Sequence, residues 1–182
     1  IIHRDIKPSN VIVDRDENVY LLDFGVAKIN ESLTGQGGNR EQEPVMGTPG
    51  YMSPEQILNK ELDYRTDLFS LGVLAFECFT GQRPFPGHSA AEVLGHILNS
   101  PPLALTSLVD LPLALEAVFE RALAKDKNAR FETGEAMVIA MAHALGFDRV
   151  EKPMLSSVPG EERGPARERK PSEWRALSSR AA

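Results

Sequence analysis

His3-Arg4-Asp5-Ile6-Lys7-Pro8-Ser9-Asn10 is the stretch of sequence that decides the fold, and it directly precedes a predicted β-hairpin. Two apolar runs, residues 11–13 and 19–22, flank five polar residues. This pattern is typical of two antiparallel strands joined by a short loop. The second run leads into Asp23-Phe24-Gly25, so the hairpin is predicted to bring the two polar stretches to one place.

The composition is that of an ordinary globular chain. Its 182 residues (20.0 kDa) are 42% hydrophobic and 25% charged, which is enough for a core that folds unaided. The formal net charge of −6 argues against a surface that grips nucleic acid. One cysteine, Cys78, excludes a disulfide framework and favours a reducing compartment, so we expect a cytoplasmic protein. The longest apolar run, residues 68–79, is too short to span a bilayer. Any membrane anchor of a full-length protein is therefore expected in a different segment.

Most of the remaining pattern is helical. Residues 68–80 are apolar on nearly every side, which predicts a fully buried helix that ends at Gly81 and has Cys78 as one of its packing residues. Ser53-Pro54-Glu55-Gln56 is the capping-box start signal of a shorter helix. Similar signals open three more predicted helices, at Ser89 (to about Asn99), Pro112 (to about Ala124) and Thr133 (to Gly146). The predicted fold class is α+β and predominantly α-helical, with a long polar loop at residues 30–44.

The C-terminal residues differ in charge from the rest of the chain. Residues 149–182 hold eight Lys/Arg and five Asp/Glu, a net of +3, so residues 1–148 carry −9. Prolines and a low apolar content predict that residues 147–182 form a disordered tail. We expect a plain solvated extension, with a basic recruiting tail as the alternative.

Three motifs together resemble protein kinases. HRDIKPSN (residues 3–10) resembles the catalytic loop of that family, DFG (residues 23–25) its metal-binding loop, and GTPGYMSPE (residues 47–55) the segment that follows. Lys7 followed by Pro8 is similar to kinases that act on serine and threonine, and the third motif looks like bacterial kinases of the eukaryotic (Hanks) type. The resemblance covers residues 1–146. It implies a protein-kinase-like C-terminal lobe in which a small β-hairpin carries the catalytic loop.

The resemblance assigns the chemistry to four side chains. Transfer of the γ-phosphoryl group of ATP needs an aligned hydroxyl and neutralised phosphates. Asp5 is expected to accept the proton of the substrate hydroxyl, and Lys7 to neutralise the transferring phosphate. Asn10 and Asp23 are expected to supply oxygen ligands for Mg²⁺, with Mn²⁺ as an alternative ion.

Two further residues are expected to lie against the substrates. Ile12 matches the family position that packs against the adenine ring of ATP. Thr48 matches the residue that bridges Asp5 and Lys7 and favours serine or threonine as the acceptor.

Other matches are expected to be structural. Asp67 matches a residue that holds the catalytic loop through hydrogen bonds to its backbone, since an unpaired carboxylate entering an apolar helix is costly. Glu55 and Arg130 match a buried ion pair of the family. His3 is expected to pack beneath Phe24 as scaffold and not to act as a base.

One pattern resembles a different kind of site. Residues 14–18 look like the opening of a calcium-binding loop, whose sixth position requires Gly and whose twelfth requires Glu. This chain has Val19 and Gly25 there, so a solvated hairpin turn is predicted instead.

Three parts of a kinase do not occur in this sequence: the glycine-rich loop over the phosphates, the strand lysine and the helix glutamate that pairs with it. All belong to the N-terminal lobe, so we expect a catalytic-lobe fragment that binds ATP weakly by itself. The alternative is a non-catalytic lobe that docks partner proteins. Intact Asp5, Lys7, Asn10 and Asp23 favour the enzyme, with ATP and a protein as its substrates and no nucleic-acid partner.

Regulation by an anion is indicated by Arg4, which stands beside Asp5, because arginine binds phosphate in a bidentate manner. Residues 35–47 contain no hydroxyl side chain, which leaves Ser32 and Thr34 as phosphorylation candidates in this loop. Two hypotheses remain for Glu41 and Glu43: one of them substitutes for the phosphate, or both are merely solvated loop acids.

Overall fold

A computed structural model of the chain describes residues 1–22 and 49–147. Outside these ranges lie several residues and segments for which the sequence makes predictions: Asp23, Phe24, Ser32, Thr34, Glu41, Glu43, Thr48, the loop at 30–44 and residues 148–182 of the tail. No helix within the described ranges is long and apolar enough to cross a membrane.

The predicted β-hairpin is confirmed. Strands β1 (Val11–Val13) and β2 (Val19–Leu21) pair antiparallel, with Ile12 opposite Tyr20. The five-residue loop closes on the carboxylate of Asp14, which accepts hydrogen bonds from the backbone N–H groups of Asp16 and Asn18, both at 2.9 Å. These donors occupy the Asp14 carboxylate within its own turn, as expected for a hairpin loop.

Five α-helices follow within the described residues. They are α1 (Pro54–Ile57), α2 (Arg65–Thr80), α3 (Ala90–Asn99), α4 (Leu113–Ala122) and α5 (Gly134–Ala144). Single-turn 3₁₀ helices lie at Pro8–Asn10, Pro49–Tyr51, Leu105–Ser107 and Lys127–Ala129. The α+β, predominantly helical fold class is therefore confirmed.

The predicted helix boundaries are largely confirmed by side-chain caps. The hydroxyls of Ser53, Ser89 and Thr133 accept from the backbone N–H three residues on, at 3.3, 3.2 and 3.0 Å. Gly81 ends α2 in the left-handed conformation, with φ of 70°. A side chain there would be strained, so glycine suits this position.

Helix α2 is the centre of the core. Phe69, Val73 and Phe76 lie on one face of it and are completely buried. Phe76 meets Phe119 of α4 edge to face at 5.3 Å, and Phe69 stacks with Phe85 at 6.1 Å. Such aromatic pairs add to the stabilisation from buried apolar area.

Two predictions about α2 are wrong. The helix begins at Arg65 and not at residue 68, because the Asp63 carboxylate accepts from the Arg65 N–H at 2.9 Å and supports a polar first turn. The helix is also not buried on every side, since Cys78 is exposed and is not a packing residue. Phe69, Val73 and Phe76 define the inward face, and the position of Cys78 is turned away from it.

Candidate active site

The segment that precedes Asp5 is anchored on α2. The backbone N–H groups of His3 and Arg4 donate to the two carboxylate oxygens of Asp67, each at 2.8 Å. Asp67 lies in the first turn of α2, where the helix dipole favours a negative charge. The predicted role of Asp67 as a holder of this backbone is confirmed.

Arg4 adopts an unusual backbone conformation. Its φ is 69°, in the left-handed region that non-glycine residues rarely occupy. Such a conformation costs on the order of 1–3 kcal/mol and persists only when the surroundings hold it. Here the Arg4 N–H is bound to Asp67 and the Arg4 carbonyl oxygen accepts from Nε2 of Gln56 at 2.9 Å. The direction in which the chain enters Asp5 is therefore fixed by two side chains.

His3 is buried and is used as scaffold. Its Nδ1 accepts from the Asp5 N–H at 3.3 Å, and its Nε2 lies 2.9 Å from the carbonyl oxygen of Leu22. These contacts correspond to the tautomer with the hydrogen on Nε2. Both ring nitrogens therefore join parts of the backbone, as expected for a structural histidine; the contact predicted with Phe24 lies outside the described residues.

Three of the predicted site residues form one cluster. Lys7 Nζ lies 2.8 Å from Asp5 Oδ2. Asn10 Nδ2 donates to the backbone oxygen of Asp5 at 2.8 Å and to Oδ2 at 3.1 Å. Pro8 starts the 3₁₀ turn that brings the buried Asn10 back towards Asp5. The Asp5 side chain remains 38% exposed, so a carboxylate, an ammonium and an amide meet where a substrate can reach them.

The hairpin places Leu22 and Ile12 next to this cluster. The Leu22 N–H donates to the carbonyl oxygen of Asn10 at 2.8 Å, so the residue next to Asp23 lies against Asn10. Ile12 stands on β1, 40% exposed, with its apolar side chain open to contact. Asp23 and Thr48, the remaining predicted site residues, lie outside the described residues.

The buried ion pair predicted between α1 and the segment before α5 is confirmed. Arg130 Nη1 and Nη2 lie 2.7 and 2.8 Å from the two carboxylate oxygens of Glu55, which also accepts from Thr66 Oγ1 at 2.9 Å. Burial alone would raise the pKa of Glu55, but the hydrogen bonds and charge of Arg130 outweigh it and hold that pKa below its ordinary value. The pair locks α1, whose first two residues end the third motif, onto the helical core.

Sequence reasoning missed a second set of contacts to the third motif. Ser70 Oγ donates to the carbonyl oxygen of Tyr51 at 2.7 Å, and the Tyr51 hydroxyl donates to the Glu77 carboxylate. Burial and the bond to Glu77 raise the pKa of Tyr51 above its ordinary value. The sequence signal for these contacts is the presence of Ser70 and Glu77 on the inner side of the apolar helix α2, because polar side chains need hydrogen-bond partners when they are buried.

The site has the composition that proton acceptance beside a charged phosphate requires. The Asp5 side chain is partly exposed, and its backbone N–H and carbonyl oxygen are held by His3 and Asn10. Lys7 is close enough to Asp5 for both side chains to contact the same ligand. Within the described ranges, no group of three or more His, Cys, Asp or Glu side chains is arranged to hold a metal ion.

Comparison with known proteins identifies the class: residues 1–139 match the protein kinase domain, and the chain belongs to that family. Similar proteins include bacterial serine/threonine kinases, which confirms the resemblance to the Hanks type. PknA of Corynebacterium glutamicum is 35% identical over 100% of this chain, PrkC of Bacillus subtilis 34% over 89%, and Pkn1 of Myxococcus xanthus 39% over 80%. The chain spans 37%, 24% and 21% of the lengths of these three relatives.

Proposed function

We propose that residues 1–146 are the catalytic C-terminal lobe of a serine/threonine protein kinase, with residues 147–182 as a separate tail. The reaction is transfer of the γ-phosphoryl group of ATP to serine or threonine hydroxyls of a protein substrate. The observation that carries the proposal is the cluster of Asp5, Lys7 and Asn10, in which the Asp5 side chain is 38% exposed and the backbone before it is anchored on the core through Asp67.

Asp5 and Lys7 have complementary roles in this reaction. The Asp5 carboxylate accepts the proton of the attacking hydroxyl as the new bond to the γ-phosphorus forms and the bond from that phosphorus to the leaving ADP breaks. Lys7, which is 2.8 Å from Asp5, exchanges part of that contact for the incoming phosphate and offsets its negative charge. Thr48 is proposed to bridge these two side chains and to favour serine or threonine as the acceptor.

The donor chemistry of Asn10 fits Mg²⁺, with Mn²⁺ as an alternative ion. Both side-chain hydrogen bonds of Asn10 in the described part use Nδ2, which leaves Oδ1 as a neutral oxygen ligand. Asp23 would supply the charged oxygen ligand, and the bond between Leu22 and Asn10 favours its proximity. When bound, the ion neutralises the phosphates of ATP.

The nucleotide is proposed to lie along the hairpin. Ile12 offers an exposed apolar side chain for the adenine ring. Val13, Val19 and Tyr20 are also exposed, by 60%, 67% and 51%, so the hairpin has apolar surface available to an N-terminal lobe. This sequence has no glycine-rich loop or strand lysine of its own, and we infer that the chain alone binds ATP weakly and transfers phosphate poorly.

The test is a kinetic comparison in a longer form of the protein that includes the nucleotide loop. Asp5→Asn removes the proton acceptor while preserving shape, and is expected to lower kcat by about 10²–10⁴-fold with little change in KM for ATP. Asp16→Asn is the matched control, because Asp16 is an exposed acid of the hairpin turn. An unchanged kcat in Asp5→Asn would remove Asp5 from the proposed role.

A further inference from the structure

Gln56, at the start of α1, uses both ends of its side-chain amide. Its Oε1 accepts from the backbone N–H of Ser53 at 2.9 Å, which completes the capping box with Ser53 Oγ. Its Nε2 donates to the carbonyl oxygen of Arg4 at 2.9 Å, across 52 positions of sequence. One side chain therefore joins the end of the third motif to the loop that carries Asp5.

The capping box fixes the direction of this amide. Because Oε1 is bound to the Ser53 N–H, Nε2 must point to the other side, where the Arg4 carbonyl lies. The box exists only when the first turn of α1 is formed. The donor that Arg4 receives is therefore oriented by the folding of α1.

Arg4 is the residue at which such a bond has the most effect. It holds a left-handed backbone with φ of 69°, a conformation that persists only where the surrounding structure holds it. Asp67 binds the N–H, and Gln56 binds the carbonyl. The next residue is Asp5, so a change in the backbone conformation of Arg4 changes the direction of the Asp5 backbone and the position of its carboxylate.

We propose that Gln56 is a positioning residue, whose side-chain N–H donor ties the start of α1 to the catalytic loop at Arg4 and Asp5. Gln56 touches no reacting atom. The consequence for catalysis rests on the proposed function of Asp5, whereas the physical tie between α1 and the loop does not.

Gln56→Glu separates the two halves of the contact. A glutamate at this position of a capping box still accepts from the Ser53 N–H, but it has no hydrogen to donate to the Arg4 carbonyl. Gln56→Lys is the reciprocal change, since its ammonium donates to Arg4 but cannot accept from Ser53. Gln82→Glu is the matched control, because Gln82 is exposed and lies outside this network.

The measurement is backbone amide hydrogen exchange on the intact 182-residue chain, followed by mass spectrometry. Gln56→Glu is expected to speed exchange in residues 3–7 by about fivefold to tenfold, the effect of losing one hydrogen bond, while residues 68–76 of α2 keep the wild-type rate. Gln56→Lys is expected to keep residues 3–7 slow while α1 exchanges faster. Gln82→Glu is expected to change neither.

Two results would overturn the proposal. One is wild-type exchange of residues 3–7 in Gln56→Glu. The other is loss of loop protection in Gln56→Lys as well as in Gln56→Glu, and this result decides the case in which faster exchange in Gln56→Glu is matched in α2 by general destabilisation. Exchange needs no phosphate transfer, so failure of the kinase proposal would show separately, as activity that is insensitive to Asp5→Asn.

Discussion

Replacement of Arg130 by methionine is expected to lower the free energy of unfolding by about 3–5 kcal/mol, the usual cost of removing one partner of a buried ion pair. Methionine has a similar length and no charge. The Glu55 carboxylate, only 5% exposed, would keep just the Thr66 hydroxyl of its described side-chain donors. Carbonyl oxygens of Arg65, Ala124 and Lys125 would also lose their donors, at 3.0, 2.8 and 3.3 Å.

A double-mutant cycle separates the ion pair from the packing. Glu55→Gln leaves the Arg130 guanidinium buried with carbonyl acceptors, and we expect a loss of about 2–4 kcal/mol. The double variant Glu55→Gln/Arg130→Met has no buried charge left at this place. It is expected to be less destabilised than the sum of the two single variants by about 1–3 kcal/mol, since contacting residues are not additive.

The assay is urea unfolding of the 182-residue chain, analysed for midpoint and slope. The pKa of Glu55 is held below its ordinary value of 4.5, so its contribution is present above pH 4.5 and is lost as pH falls through the folded-state pKa. Arg130→Met should therefore flatten the acid limb of the stability curve. A loss below about 1 kcal/mol at neutral pH, or strict additivity in the cycle, would refute the reasoning.

Three further predictions concern single positions. Burial, followed by the nearby Arg130 charge, lowers the pKa of Lys125 to about 8. The free energy of unfolding should therefore rise between about pH 8 and pH 10.5, by about 1 kcal/mol after allowance for the partial exposure of Lys125. Lys125→Met should remove this rise in urea titrations. Asp67→Asn should cost about 1–2 kcal/mol and speed amide exchange at Arg4. Gly72→Ala should lower the free energy of unfolding by about 1–2 kcal/mol in thermal unfolding, because the new methyl group would lie 3.2 Å from Ala122 Cβ. Gly95→Ala is the control: it has open space around it and should raise the free energy of unfolding by up to about 1 kcal/mol.

Local signals predicted the hairpin and the helix boundaries well. Strand pairing follows from two short apolar runs around a polar turn, and Ser53, Ser89 and Thr133 each act as the cap that their hydroxyls indicate. The family resemblance added long-range pairs that no local pattern contains, such as Glu55 with Arg130 and Asp67 with the backbone before Asp5.

The contacts that sequence reasoning missed depend on three-dimensional placement. The sequence identifies Gln56 as a capping residue, but no local pattern shows that its side-chain amide N–H donates to the Arg4 carbonyl. The early start of α2 and the exposure of Cys78 have a related cause. Hydrophobicity alone cannot show that the polar Thr66 is buried through its bond to Glu55, or which side of an apolar helix lacks a neighbour.

The central claim is that the cluster around Asp5 transfers phosphate to protein hydroxyls. The most direct measurement is incorporation of label from [γ-³²P]ATP into a protein substrate by a form of the protein that includes the nucleotide loop, followed by identification of the phosphorylated amino acid. We predict phosphoserine or phosphothreonine, formed only with Mg²⁺ or Mn²⁺ and reduced by about 10²–10⁴-fold in Asp5→Asn. Absence of label from the wild-type protein, or wild-type labelling by Asp5→Asn, would contradict the claim.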